Sequence, residues 1–319
     1  MDTIYFIFQQ TMIFTIPLLI VALGGMFSER SGVVNIALEG IMTMGAFCSI
    51  LLINFLQGSM SGQPLLLLAV LVAALSGMLF SLLHAYASIN MKADQVISGT
   101  ALNMFAPAFA IFVARLITPN KTQQVQFDNT FFIRKVPMLG DIPVIGPLLF
   151  QNAYITTYLG ILILIVSTIV IYKTKFGLRL RACGEHPHAA DSVGINVYKI
   201  RYAGVMISGA LGGIGGLVFV IPTSTNFNAT VAGYGFLALA VLIFGQWHPI
   251  KILYSAFFFG LMKTIAASYS GIPILKTLGI PNSFYKMIPY IATLVVLAFT
   301  SSKSQSPRAA GTPYDKGAR

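Results

Sequence analysis

Charge is what this sequence has least of. Nine acidic and 20 basic residues make up 9% of a 319-residue chain, where an ordinary soluble domain carries about 25%. A soluble globule of this length needs more charge to cover its surface. A disordered chain is excluded too, since disorder goes with low hydrophobicity and high charge, and here 56% of the residues are hydrophobic with a mean hydropathy of +0.81. Cysteine is scarce: Cys48 and Cys183 are too few for a disulfide framework, and neither adjoins a His/Cys cluster that could bind a metal. Nucleotide-binding and hydrolytic signatures are missing as well. There is no GxxxxGK[ST], no GxGxxG, no HExxH and no GxSxG. The four histidines, His84, His186, His188 and His248, are not spaced as a site. No cofactor, no metal and no enzymatic activity are therefore expected.

What is present is a set of long runs without charge. The gaps between Asp2 and Glu29, Glu39 and Lys92, Asp141 and Lys173, and Arg201 and Lys251 hold 26, 52, 31 and 49 residues. About 20 apolar residues span a bilayer, so the two longest gaps each hold two spans and a turn. The first run lacks the basic start of a secretory signal and reads as a retained span. The expectation is an all-α polytopic transmembrane bundle of about nine spans, within eight to ten. The spans are Phe8–Phe27, Val33–Phe55, Leu65–Ile89, Val96–Ile117, Ala153–Tyr172, Tyr202–Ile221, a short Gly233–Gln246, Ile252–Tyr269 and Met287–Thr300. Residues 1–302 form the membrane domain with a loop at 173–201, and 303–319 a cytosolic tail. Pro17, Pro107 and Pro222 are expected to kink or end helices. The small residues Ala210, Gly212, Gly213, Gly215 and Gly216 read as a tight packing face.

Lys and Arg orient the bundle. One side collects Arg30, Lys92, Lys173, Lys175, Arg179, Arg181, Lys199, Arg201, Lys251, Lys303, Arg308, Lys316 and Arg319. The other has only Lys121, Arg134, Lys135, Lys276 and Lys286. The richer side is cytosolic by the positive-inside rule, which puts the C-terminus inside. The net charge of +11 is scattered over loop ends, where anionic lipid headgroups are the ordinary partner. Nucleic acid is not expected as a partner.

Three segments stand out. In SERSGVVNIALEG, Ser28–Gly40, Asn35 and Glu39 fall four apart, as on one helical face. A carboxylate within a span either lines a path or is held by a neighbour or by interfacial water. In KADQVISGTALN, Lys92–Asn103, Asp94 suits a helix N-terminus, and Gln95, Ser98, Thr100 and Asn103 add polar atoms to the first turns, some of them facing inward. In the basic loop, Pro187 fits the first helical position after Glu185 or His186 as cap. Ala189, Ala190 and Val193 form a small apolar face there, and Gly194 is a natural stop. Such a short helix either docks on something cytosolic or lies on headgroups. Beyond these, Lys263 in the eighth span either faces a water-filled path or snorkels to an interface. Trp247, with His248 and Pro249, reads as an interfacial anchor.

Together these segments resemble the integral-membrane permeases of bacterial ABC importers, in the ribose and branched-chain amino acid permease family. The likeness extends to GYGFLALAVLIFGQWHP at Gly233–Pro249 and to PYDKG at Pro313–Gly317. The Ser28-Glu29-Arg30 start and the tail are similar to the nucleoside permease subgroup. The resemblance implies that Gly184, Glu185, His186, Pro187, Ala189, Ala190, Val193 and Gly194 form a coupling helix seated in an ATPase groove, with His186 where relatives often carry Asn. It implies a translocation path that Asn35, Glu39, Gln95, Asn103 and Lys263 would line. It also implies the partners: an ABC ATPase subunit, a second homologous permease, an extracellular substrate-binding lipoprotein and the lipid of the bacterial inner membrane. The alternatives are a permease for a simple sugar such as ribose, and an ion-coupled carrier. The carrier would want several ionisable groups at mid-membrane, where only Glu39 and Lys263 are candidates.

Overall fold

The computed structural model describes residues 2–118, 121–128, 130–137, 139–143, 145–268, 281–300 and 305–317. The expected span end at Tyr269, the charges at Lys276, Lys303 and Arg319, and the side chain of Lys286 lie outside the described residues. The helices are α1 (Asp2–Arg30), α2 (Leu38–Leu56), α3 (Gln63–Ala85, extended by a π turn at Tyr86–Asn90), α4 (Gln95–Ile117), α5 (Ile155–Lys173), α6 (Lys175–Glu185), α7 (Pro187–Ser192), α8 (Val197–Thr223), α9 (Tyr234–Phe244), α10 (Pro249–Ser268) and α11 (Asn282–Thr300). Seven of these are long and apolar enough to cross a membrane. The helix α9 is shorter, and α11 is a 19-residue helix.

The bundle is built around α8, which packs on α1, α2 and α3. The reason is the small-residue face. A methyl group at Gly213 would fall on the carbonyl oxygen of Ala73, and one at Gly216 on that of Met42. Without side chains there, the backbones approach to contact, which is how helices gain dispersion energy where lipid offers no hydrophobic drive. The outer helices show lipid the opposite face. Leu67, Leu71, Leu75, Leu79 and Leu83 repeat every fourth residue along α3 and are all exposed.

Of the three prolines expected to kink or end helices, only Pro222 stands at a helix end. Pro17 and Pro107 lie inside α1 and α4, and Pro222 in the last turn of α8. Neighbouring helices tolerate the lost bond in such a bundle. The breaks come after α1 and after α8. The first uses Gly32 at φ 98° to leave α1 in the left-handed region, and residues 33–37 then run non-helically to Leu38. The expected span Val33–Phe55 therefore begins five residues late. Asn35 sits outside the helix and shares no helical face with Glu39.

The α6–α7 loop lies at one end of the bundle. At the opposite end, Val125–Gln126 (β1) pairs antiparallel with Asn226–Phe227 (β4), and Ile133–Lys135 (β2) with Gln151–Ala153 (β3).

Candidate functional site

The broken segment after α1 carries backbone groups that helix geometry would otherwise satisfy. In an apolar bundle each must find a partner, and here the partners are side chains. Ser28 Oγ donates to Val33 O at 2.7 Å, Val34 N to Gln95 Oε1 at 2.7 Å, and Asn103 Nδ2 to Ile36 O at 2.9 Å. His84, fully buried, sits between Val34 O at 2.9 Å and Ser98 Oγ at 3.0 Å. A carbonyl can only accept, so Nε2 carries the proton and Nδ1 accepts from Ser98. Gln95, Ser98 and Asn103 thus share the inward face of α4, while the exposed Thr100 turns back to Val96 O. Asp94 caps α4, accepting from Val96 N and Ile97 N.

The two helices that follow breaks are capped from elsewhere in the fold. The cap position of α2 is Ala37, whose side chain can accept nothing. Asn103 Oδ1 accepts Gly40 N at 2.7 Å instead. The cap position of α9 is Gly233, equally unable. Glu39 supplies both bonds there, Oε1 from Gly233 N at 2.9 Å and Oε2 from Gly235 N at 2.7 Å. The starts of α2 and α9 therefore meet head to head, and a Cβ at Gly235 would collide with the Glu39 backbone. From this junction α9 runs 11 residues to the loop end, a rise of about 16 Å, about half the thickness of a bilayer core of about 30 Å. The Glu39 carboxylate faces the positive end of the α9 dipole. Of the two readings of Glu39, the structure brings it to a neighbour.

At the loop end, Trp247 is not an interfacial anchor. Gln246 and Trp247 take φ of 48° and 54°, which turns the chain inward after α9. The indole is 4% exposed and donates to Glu29 Oε2 at 2.6 Å. Arg30 Nη2 donates to Trp247 O at 3.1 Å.

The loop forms the expected short helix, with Pro187 at its first position after His186, whose side chain makes no cap bond. Its apolar face differs from expectation. Ala190 points inward, 3% exposed, against Cys183, Val197 and Tyr314. Gly184 is buried where a Cβ would strike Arg30 O, and Glu185 is half-buried at 3.9 Å from Arg30. The surface left outward is His186, His188, Ala189, Ser192, Val193 and Gly194, with Val193 74% exposed. Burial around Cys183 pushes its thiol up to about 11.

The tail is strapped over this region. Ala309 N donates to Gly184 O, Gly311 N to Gly32 O, and Arg201 Nη1 to Thr312 O. Tyr314 is buried beside His188 and Tyr198. Lys92 and Asp315 pair at 2.6 Å, and the Lys92 bond holds the Asp315 carboxyl below the usual range. Arg201 is 1% exposed, so it is not one of the charges at the headgroups. Sequence reasoning missed His84, Ser208 (which accepts from Asn35 Nδ2 at 2.9 Å) and the inward Trp247. No local pattern marks them.

Lys263, half-buried on α10, stands with its Nζ 5.2 Å from the centre of the Tyr234 ring and lines a cavity between α1, α8, α9, α10 and α11. Among the described residues no group of three or more His, Cys, Asp or Glu is placed to hold a metal ion.

Residues 7–297 match the family described as branched-chain amino acid transport system permease component. The chain is 46% identical over 314 residues to the guanosine ABC transporter permease protein NupQ of Bacillus subtilis, covering 98% of this chain and 97% of the relative. It is 43% identical over 316 residues to the nucleoside ABC transporter permease protein NupC of Lactococcus lactis, covering 99% and 98%. A putative glucose ABC transporter permease of Haloferax volcanii is 30% identical, covering 92% and 91%. No solved structure matches.

Proposed function

The chain belongs to the family of branched-chain amino acid transport system permease components, and from that premise we propose that it is the membrane permease of an ATP-driven nucleoside importer. The observation that carries the reading is end-to-end identity above 40% with two permeases named for guanosine and nucleosides. The fold agrees in kind: a helical bundle with two helix breaks meeting in its middle, as transporters use at their sites.

On this reading the energy source is a separate ABC ATPase. The outward surface of α7, Ala189 and Val193 flanked by His188 and Ser192, is its docking face. The end carrying Lys173, Lys175, Arg179, Arg181, Lys199 and the tail is cytosolic, by the excess of Lys and Arg. A second homologous permease completes the pore, and an extracellular binding lipoprotein delivers substrate at the opposite end. The protein sits in a bacterial cell membrane with its C-terminus inside. ATP binding would pull α7, and the bundle would alternate between outward- and inward-open states whose balance substrate and nucleotide shift. Asn35, Glu39, Gln95 and Asn103 act here as the frame of the path: Glu39, Gln95 and Asn103 bond backbone groups, and Asn35 bonds the Ser208 hydroxyl.

Uptake of labelled guanosine, uridine and ribose by cells carrying the complete importer tests this. Nucleoside uptake should vanish when the partner ATPase is deleted or ATP is depleted. Uptake that survives both would point to an ion-coupled carrier and sink the proposal. Uptake of ribose alone would move the substrate class to a sugar.

A further inference from the structure

A cavity of about 670 Å³ opens between α1, α8, α9, α10 and α11, within the range of about 300–1,000 Å³ usual for small-molecule sites. It lies in the half of the bundle away from the α6–α7 loop. Gln10 near the start of α1 and Thr223 at the end of α8 mark its upper rim, and Tyr234 at the first position of α9 lies at its floor. The floor is thus the same mid-bundle junction at which Glu39 holds α9.

Its wall has two kinds of group. Phe14, Phe219 and Tyr234 are aromatic, the last two with ring centres 4.1 Å apart. Gln10, Thr223 and Lys263 are polar: an amide that donates and accepts, a hydroxyl, and an ammonium with three donors. Among the described residues, no carboxylate lines it. A cation would be repelled by the Lys263 ammonium. A free sugar would leave the aromatic wall unused. The combination suits a neutral molecule with one flat, acceptor-rich ring system and one hydroxyl-rich end.

Resting on the nucleoside-importer reading, we propose that this cavity is a station of the translocation path. The base of the nucleoside packs against the Phe14, Phe219 and Tyr234 wall. Lys263 donates to a base carbonyl or ring nitrogen, and Gln10 and Thr223 meet the ribose. The station is open on the side from which substrate is delivered. Its floor is the junction that must part for passage onward.

Two measurements test it on the purified complex with its ATPase and binding protein. In a Cys48→Ala, Cys183→Ala background, Lys263→Cys should react with a small charged, membrane-impermeant thiol reagent, and millimolar inosine should slow that reaction several-fold. In proteoliposomes, Phe219→Leu and Lys263→Met should lower the inosine moved per ATP hydrolysed by about tenfold, with Lys263→Arg restoring much of it. A purely structural role would lower transport and hydrolysis together. A cysteine that the reagent cannot reach means lipid or a second subunit fills the cavity, and overturns the proposal. So does labelling indifferent to inosine, or an unchanged ratio in both variants. If instead the unaltered complex hydrolyses ATP and moves no nucleoside at all, the importer reading falls first.

Discussion

Glu39 offers the sharpest check on the head-to-head junction. Replacing it with alanine removes both acceptors for Gly233 N and Gly235 N. Leaving a buried donor unpaired costs about 1–3 kcal/mol, so two cost about 2–6 kcal/mol. Bonds to a charged acceptor lie toward the upper end of such values. Glutamine is gentler. Its amide oxygen can keep one bond, while its NH₂ group faces the other N–H, so the loss is about 1–3 kcal/mol. Thermal unfolding in detergent reads this directly. Domains of 150–250 residues lose about 2–4 °C per kcal/mol, so Glu39→Gln should melt several degrees below the native chain and Glu39→Ala lower still. Both orphaned amides lie at the start of α9, so amide exchange should rise there and stay unchanged in α5. If both variants melt with the native chain while transport is lost, Glu39 serves substrate and the capping argument is wrong.

The loop gives a contrasting pair of outcomes. Val193→Asp, on the exposed side of α7, should leave thermal stability unchanged yet cut ATPase association and uptake by about tenfold or more, the effect of 1.4 kcal/mol. Ala190→Asp puts an unpaired charge inside and should destabilise the loop by about 3 kcal/mol or more, seen as proteolysis between α6 and α8. The Cys183 thiol, pushed up to about 11 by burial, should stay unalkylated by iodoacetamide at pH 8 until the chain is unfolded, because only the thiolate reacts. Asp315 has a lowered folded pKa, so its contribution is present above the ordinary Asp value of about 4 and lost as pH falls through the folded value. A spin label on the tail should therefore loosen on acidification below about 4. Asp315→Asn should loosen it at neutral pH, whereas a tail held equally in both would remove Asp315 from the strap.

Much of the fold was legible because bilayer physics acts on local composition. Runs without charge announced apolar helices, including the short Gly233–Gln246 that became α9, and Pro187 and Gly194 bracketed α7. The Asp94 cap was legible for the same reason, since it bonds amides two and three residues on. Asn35 and Glu39 misled because four-residue spacing implies one face only if the helix is continuous, and Gly32 ends it first.

By itself, then, the sequence determined that the chain is a membrane helix bundle, roughly where its apolar helices run, and that one loop carries a short patterned helix. Each of these depends on neighbours within about one helical turn or one run of hydropathy. Apart from the Asp94 cap, tertiary structure alone decided what these polar residues do. Asn103 caps a helix that begins at Leu38, and Glu39 caps one that begins at Tyr234. Trp247 reaches back to Glu29, and Ala190 turns under the tail. These bonds join residues up to 218 positions apart. The demand behind them, that every backbone group buried in an apolar bundle be paired, is universal. Which side chain meets it depends on which helices the glycine faces of α8 bring together.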